Sequence, residues 1–380
     1  MLDDDAIKAG EGYFLFHGIG YYPEKEAEIT AELAAFAASW SAVDDGQWDY
    51  IYACTSEFID LWRALIGAGE GSIATTENVT AACYSLFGAV PPEQLAGRKI
   101  LVAGDCFPSN HFLLSAMAAR RGFTLETVPL RQGDGHVRDE DFIAHWDDDV
   151  AVALITWVSS TSSHRVDLEA LVAHGRKQGS IIGVDITQGA GVVPFDVGAP
   201  VVDFAITTSL KWMCGVPGAG ILYVRPELIG EFEPEFRGWF SQPDPFNWDF
   251  DKFSYAPDAR RFDHGTPSPL PLVGSLPGLC WHAAVGIERI ARHNRALVDR
   301  MFAAGEAGKW DIVTPPAVEN RGGSIMVRLP AGTDPKTLQA ALKARGVLAD
   351  FRGQILRLSP GLVTSQAAVD VAIATIDRVF

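Results

Sequence analysis

The chain has 380 residues, 48% of them hydrophobic, and a formal net charge of -17. A chain of this length and apolar content can bury a large core, and it predicts two domains, one large and one small. The acidic balance excludes a nucleic-acid surface, which needs clustered Lys and Arg against phosphates, and it argues equally against an anionic membrane surface.

The opening residues, Met1-Leu-Asp-Asp-Asp5, are acidic and are not followed by the apolar stretch of about 7 to 15 residues that a signal peptide needs. No apolar run approaches the roughly 18 to 20 residues of a membrane span. Cys54, Cys83, Cys106, Cys214 and Cys280 are odd in number and widely spaced, and none forms a C-x-x-C pair. They predict reduced thiols in a cytoplasmic protein, with no metal site. Residues 1–20 read as a segment packing near an active site, 21–275 as the large domain, and 276–380 as a small C-terminal domain with a connecting helix.

In chain order, Lys99 to Ala103 reads as a strand, His111 to Arg121 as a helix and Thr124 to Val128 as a strand. Val150 to Val158 is a strand and Leu168 to Gln178 a helix. The apolar runs Ser180 to Val184, Val201 to Thr207 and Gly220 to Val224 follow as strands. Continuous apolar strands separated by helices predict an α/β fold with a mainly parallel sheet covered on both faces. Phe236 to Pro271 is rich in Trp, Phe, Pro, Asp and Arg, has little periodicity, and reads as a long ordered loop at a site or subunit contact. Leu272 to Val298 reads as one long helix. The last part reads β-α-β-β-α: Gly323 to Leu329, Pro335 to Ala344, Val347 to Ala349, Ile355 to Leu358, and Ser365 to Val379.

Two of these strands end in chemistry. The run Ser180 to Val184 leads into Asp185, within Gly183-Val-Asp-Ile-Thr-Gln188, and 26 residues later Lys211 follows the next strand, within Ser209-Leu-Lys-Trp-Met-Cys-Gly-Val-Pro-Gly218. In such sheets ligands sit at the carboxyl ends of the strands. Pyridoxal phosphate needs this pair: a carboxylate keeps its pyridine nitrogen protonated, and a lysine holds its aldehyde as a Schiff base and later moves protons. Taken singly, Lys211 is an ordinary surface lysine and Asp185 a helix cap; their spacing argues otherwise. Lone histidines such as His111, His164 and His264 read as structural, and Gly189-Ala-Gly191 completes no dinucleotide fingerprint.

From about Phe58 onward the chain resembles fold-type I pyridoxal-phosphate enzymes of the class V aminotransferase group, and within them it is most similar to kynureninases. The resemblance is carried by Ile66-Gly-Ala-Gly-Glu70 with Thr76-Glu-Asn-Val-Thr80, Phe107-Pro-Ser-Asn110, Asp185-Ile-Thr-Gln188, Ser209 to Gly218, and Asp350-Phe-Arg352 with Arg357-Leu-Ser-Pro360. It implies the aspartate aminotransferase fold, with the parallel sheet in a large domain and a small C-terminal α+β domain. It also implies that Val79 and Thr80 bind the cofactor phosphate, Phe107 stacks on the ring and Asn110 sits near it. Asp185 pairs with the ring nitrogen, Gln188 approaches the ring hydroxyl and Lys211 carries the Schiff base. Trp239 and Thr266 reach the phosphate of the neighbouring subunit in a homodimer with shared active sites. Arg357 clamps the substrate carboxylate.

Three positions depart from the kynureninase pattern. Leu210 stands where a Tyr precedes the lysine, Gln188 replaces a His, and Asn110 replaces an Asp. His17 stands where a small polar residue is expected. The implied activity is that of an enzyme acting on an amino acid through an external aldimine, with kynureninase-like hydrolytic Cβ–Cγ cleavage favoured. A class V aminotransferase and a β-lyase remain alternatives. A cysteine desulfurase is disfavoured, because Val347 to Ile355 contains no cysteine. A catalytically dead dimeric binding protein is a further reading, opposed by the intact Asp185 and Lys211.

Overall fold

The computed structural model describes Ile7, Lys8 and residues 10–380; the acidic opening of the N-terminal segment lies outside that range. The large sheet contains β1 (Ile73–Thr76), β2 (Lys99–Ala103), β3 (Thr124–Val128), β4 (Val150–Thr156), β5 (Ile181–Asp185), β6 (Phe204–Thr208) and β7 (Gly220–Val224), in the order β1-β7-β6-β5-β4-β2-β3. β2 through β6 pair in parallel, and β7 runs antiparallel between β6 and β1. β6 and β7 are buried along their whole length, as a sheet covered on both faces requires. Within β4, Val152 and Leu154 join the core on one face, while Ala153 and Ile155 join the core on the other. β1 is invisible as a strand in the sequence, because it is four residues long and follows Gly67, Gly69 and Gly71.

The small sheet is antiparallel, with β8 (Asp311–Ile312), β9 (Ile325–Arg328), β10 (Asp350–Arg352) and β11 (Ile355–Leu358) in the order β10-β11-β9-β8. The expected strand at Val347 to Ala349 is displaced: Leu348 forms an isolated bridge with Tyr13, and the strand proper falls at 350–352. Apolar alternation alone does not say which neighbour a short strand will meet. The N-terminal stretch is stitched into this unit. Leu15 bridges Ser359, and the fully buried Phe14 packs in one core with Met301, Ile325, Val327 and Leu356.

The single helix expected over Leu272 to Val298 is two. Pro269–Val285 and Ile287–Ala307 meet at an 83° bend. Gly286 sits between them with φ of +83°, a left-handed conformation that ends a helix and that glycine adopts without steric cost. The apolar positions continue across the break, so the pattern reads as unbroken. The first helix packs on Gln47–Ile66 and Lys25–Trp40 of the large unit, the second on Gln366–Ile376 of the small one. Phe236 to Pro271 carries three short 3-10 turns before the first of these helices starts at Pro269. No single helix among the described residues is long and apolar enough to cross a membrane.

The N-terminal stretch also closes on the turn after β6. The Gly20 N–H donates to the Leu210 carbonyl at 2.9 Å. A Cβ at Gly20 would fall 2.0 Å from the Lys211 carbonyl oxygen, against backbone that has no room to yield. Lys25 reinforces the junction, its Nζ donating to the Gly20 carbonyl at 2.7 Å and to the Gly215 carbonyl at 3.1 Å. Gly20→Ala is therefore expected to destabilise the protein by about 1–3 kcal/mol. Urea unfolding followed by circular dichroism measures it.

Candidate active site

A cavity of about 430 Å³ opens at the carboxyl ends of β4, β5 and β6 and is lined by Thr156, Asp185, Thr208 and Lys211. Chain direction places these groups together, because parallel strands present all their carboxyl ends on one edge. Val79, Thr80, Phe107, Gln188 and Leu210 complete much of the wall.

Asp185 is 6% exposed. Its Oδ1 accepts the Thr187 N–H at 3.0 Å, and its Oδ2 accepts Asn110 Nδ2 at 3.0 Å. Both oxygens of this buried carboxylate thus have hydrogen-bond donors, as a buried polar group requires. Asn110 is fully buried and does not line the cavity. It acts on the site through Asp185, and its Oδ1 in turn faces Cys83 Sγ at 3.7 Å. Lys211 is buried, and burial lowers its amine from the ordinary 10.5 to about 8; Asp185 opposes the shift, while Arg352 and Arg357 add to it. Phe107 lies beside it, with Nζ 5.3 Å from the ring centroid.

Val79 and Thr80 open the helix Val79–Ala89. Asn78 caps it by accepting the Ala81 N–H at 2.9 Å. The first N–H groups of a helix have no intrahelical acceptor, so those of Val79 and Thr80 face the cavity as an anion site. Gln188 lines the cavity and donates Nε2 to the His17 carbonyl at 3.1 Å. Leu210 contributes an apolar wall where a tyrosine hydroxyl was expected.

Arg357, on β11 of the small sheet, does not line the cavity itself. The β10–β11 register sets Asp350 directly opposite it, and the two form a bidentate pair, with Arg357 Nε 2.8 Å from Asp350 Oδ1 and Nη2 on Oδ2. Burial would push the Asp350 carboxyl up, but His17 and Arg357 outweigh burial and hold it well below the usual carboxylate range. The Asp350 edge of the guanidinium is therefore taken; Nη1 remains for a second anion. Arg352, on the same hairpin, donates Nη1 to the cavity-lining Ser160 at 2.9 Å. Burial and then Arg357 lower its pKa.

Trp239 and Thr266 do not line the cavity of their own chain. Trp239 stacks on Trp248 at 5.9 Å, in an aromatic cluster with Phe240 and Trp48. His111, His164 and His264 do not line the cavity either; His264 pairs with Glu77 at 3.3 Å and His164 stacks on His136 at 4.0 Å. Thr208, Ser160, Thr187 and His17 escaped sequence reasoning. Thr208 was findable as the last residue of β6, three before the lysine. Thr187 stands inside the Asp185-Ile-Thr-Gln188 motif itself, while Ser160 and His17 join the site through contacts with distant segments.

The residues fit pyridoxal phosphate. A partly neutral buried amine suits an aldehyde, a buried and fully hydrogen-bonded carboxylate suits a protonated pyridine nitrogen, and a helix start suits a phosphate. Thr187 Oγ1, buried on the cavity wall with no partner among the described residues, is a further polar atom awaiting a ligand.

The depressed amine carries a stability signature. Between about pH 8 and 10.5 the unfolded chain holds a proton that folded Lys211 has lost. Stability of the cofactor-free protein from this group therefore rises with pH across that window. Relative to Lys211→Met, the wild-type protein is expected to gain up to about 3 kcal/mol between those limits. Urea unfolding of both proteins at several pH values measures the difference.

Comparison with known proteins agrees with this geometry. Residues 55–353 match the family described as Aminotransferase class-V. A kynureninase of Deinococcus radiodurans is 29% identical, over 76% of this chain and 68% of that protein. A kynureninase of Yarrowia lipolytica is 26% identical, over 98% of this chain and 95% of its own. An uncharacterized aminotransferase of Bacillus subtilis is 26% identical over 78% of this chain and 76% of its own. Among solved structures, the apo cysteine desulfurase of Thermococcus onnurineus superposes with a TM-score of 0.83 at 20% identity, covering 96% of this chain and 94% of that one. The cystine C–S lyase C-DES superposes at 0.86 with 19% identity, covering 97% and 98%. These structures share the fold, and a C-DES structure holds glycine covalently linked to its PLP cofactor. The chain belongs to the class V aminotransferase family of fold-type I enzymes, with pyridoxal phosphate as its cofactor.

Proposed function

We propose that the enzyme acts on an α-amino acid by kynureninase-like hydrolytic cleavage of a Cβ–Cγ bond. The carrying observation is that the β10–β11 hairpin bearing the Asp350–Arg357 pair abuts the Lys211 cavity, its Arg352 bonding the cavity-lining Ser160, so a carboxylate holder would stand beside the proton carrier. Kynureninases among the relatives support the reading at 26–29% identity. So does the cavity wall, which includes no cysteine to act as a desulfurase nucleophile.

When bound, pyridoxal phosphate supplies an electron-withdrawing ring that stabilises negative charge at the substrate α-carbon. The rest of the work falls to this chain's residues. The N–H groups of Val79 and Thr80, with the Thr80 hydroxyl, would hold the phosphate. Asp185, fixed by Asn110 and the Thr187 N–H, would keep a proton on the ring nitrogen, and Phe107 would cover a ring face. Lys211 would hold the aldehyde and would take and return a proton at the substrate α-carbon; an amine with a pKa of about 8 suits this work near neutral pH. Arg357 offers its free edge to the α-carboxylate. Leu210, Val158 and Pro217 form apolar wall that limits water.

We further propose a homodimer with shared sites. Trp248 is 68% exposed and Phe250 96% exposed in the aromatic loop that holds Trp239. A second copy of the chain would cover them. Light scattering is expected to give twice the chain mass of 41.0 kDa, and a monomer would refute the shared site. The five unpaired cysteines suit a reducing, cytoplasmic setting.

The test of the activity is an absorbance spectrum of purified protein, followed by kynurenine and 3-hydroxykynurenine. A band near ~420 nm that is lost in Lys211→Ala is expected from the lysine-bound cofactor. The corresponding anthranilate plus alanine is the expected product. A keto acid instead would make the enzyme an aminotransferase, and loss of a β-substituent without Cβ–Cγ cleavage would make it a lyase.

A further inference from the structure

His17 is 3% exposed, yet the chemistry above does not use it. It lies in the N-terminal stretch that bridges the small sheet at Tyr13 and Leu15 and closes on the Lys211 turn at Gly20. Its ring touches two groups. Nδ1 lies 2.7 Å from Ser359 Oγ, and Nε2 lies 3.1 Å from Asp350 Oδ1, within ion-pair reach though not aligned as a full hydrogen bond. Its backbone carbonyl accepts Gln188 Nε2. His17 thus joins the cofactor strand, the N-terminal stretch and the Asp350–Arg357 pair.

The partners fix its protonation pattern. A carboxylate only accepts, so Nε2 carries the hydrogen toward Asp350 and Nδ1 accepts from Ser359. Ser359 is itself held, its Oγ lying 2.6 Å from Ser324 Oγ. Asp350 is less well anchored from its own side. It sits on the edge strand β10, three residues long, and its side chain is 33% exposed. Paired with Arg357 alone, the carboxylate and the guanidinium could swing together without breaking their bond. The imidazole, fixed by Ser359 and burial, contacts the oxygen that Arg357 Nε also contacts, and so opposes that motion.

We propose that His17 is a positioning residue which, through Asp350, sets the orientation of the Arg357 guanidinium and thereby the enzyme's selectivity for α-amino acids over the corresponding amines. This rests on Arg357 holding the substrate carboxylate. The geometry supplies a discriminating pair of variants. In His17→Gln the side-chain amide reaches toward the place of Nε2 and keeps a donor for Asp350. In His17→Asn the shorter amide reaches only the place of Nδ1 and keeps the Ser359 contact.

The experiment titrates holoenzyme with L-alanine and with ethylamine, its counterpart without the carboxylate, and reads the change in cofactor absorbance. In His17→Asn, alanine affinity is expected to fall about tenfold while ethylamine affinity changes less than about twofold. His17→Gln is expected to recover most of the loss. The KM of the amino-acid substrate should rise in His17→Asn with kcat little changed. Asp350→Asn is expected to reproduce the loss and to add little to it in the double variant. Equal weakening of alanine and ethylamine, indistinguishable Gln and Asn variants, or additive losses with Asp350→Asn would each overturn the proposal. Unchanged alanine affinity in Arg357→Gln would instead overturn the reading of Arg357 on which it rests.

Discussion

The site is organised around a buried amine. Lys211 sits in a turn that follows β6 and is walled in by Phe107, Leu210 and the N-terminal stretch. Burying a lysine is unfavourable unless its charge is removed or compensated. Here burial dominates, and the nearby Arg352 and Arg357 add to it against the pull of Asp185. The result is an amine with a far larger neutral fraction near neutral pH than an exposed lysine has, and the neutral form is the one a carbonyl cofactor requires. Desolvation that would be only a cost elsewhere becomes the source of reactivity.

That arrangement needs a rigid frame, and the N-terminal stretch provides part of it. Residues 10–20 belong to neither sheet, yet they bond to both units. Phe14 fills the small core, Leu15 bridges Ser359, and Gly20 lies flat against the Lys211 carbonyl. Lys25 then ties Gly20 to Gly215 across the same turn. A segment that contacts the lysine turn, Gln188 and Asp350 at once couples the cofactor half of the site to the carboxylate-binding half.

The departures from the kynureninase pattern are all accommodated without strain. Leu210 lies on an apolar stretch of wall, and its backbone carbonyl still serves as an acceptor for Gly20. Asn110 gives the buried Asp185 a neutral donor, where an aspartate would place a second carboxyl beside it. Gln188 supplies an amide that can donate to the His17 carbonyl in any protonation state.

Sequence alone determined six of the seven strands of the large sheet, all but β1, and which of its edges would face a ligand. Ser180 to Val184 and Val201 to Thr207 are apolar runs that form parallel strands, and a polar residue just after such a run falls on the ligand edge because parallel strands share direction. Asp185 and Lys211 were legible for that reason, whereas Val79 and Thr80 were reached only through the family resemblance. The tertiary structure decided the rest. Nothing in the order of residues shows that Gly286 bends a helix by 83°, since apolar periodicity runs through the break. Nothing local brings His17 to Asp350, 333 positions away in sequence, or closes one edge of Arg357 with a carboxylate across a hairpin. Those contacts depend on the register of short edge strands and on the packing of a terminal stretch, and both are set by the assembled core rather than by any neighbouring residues.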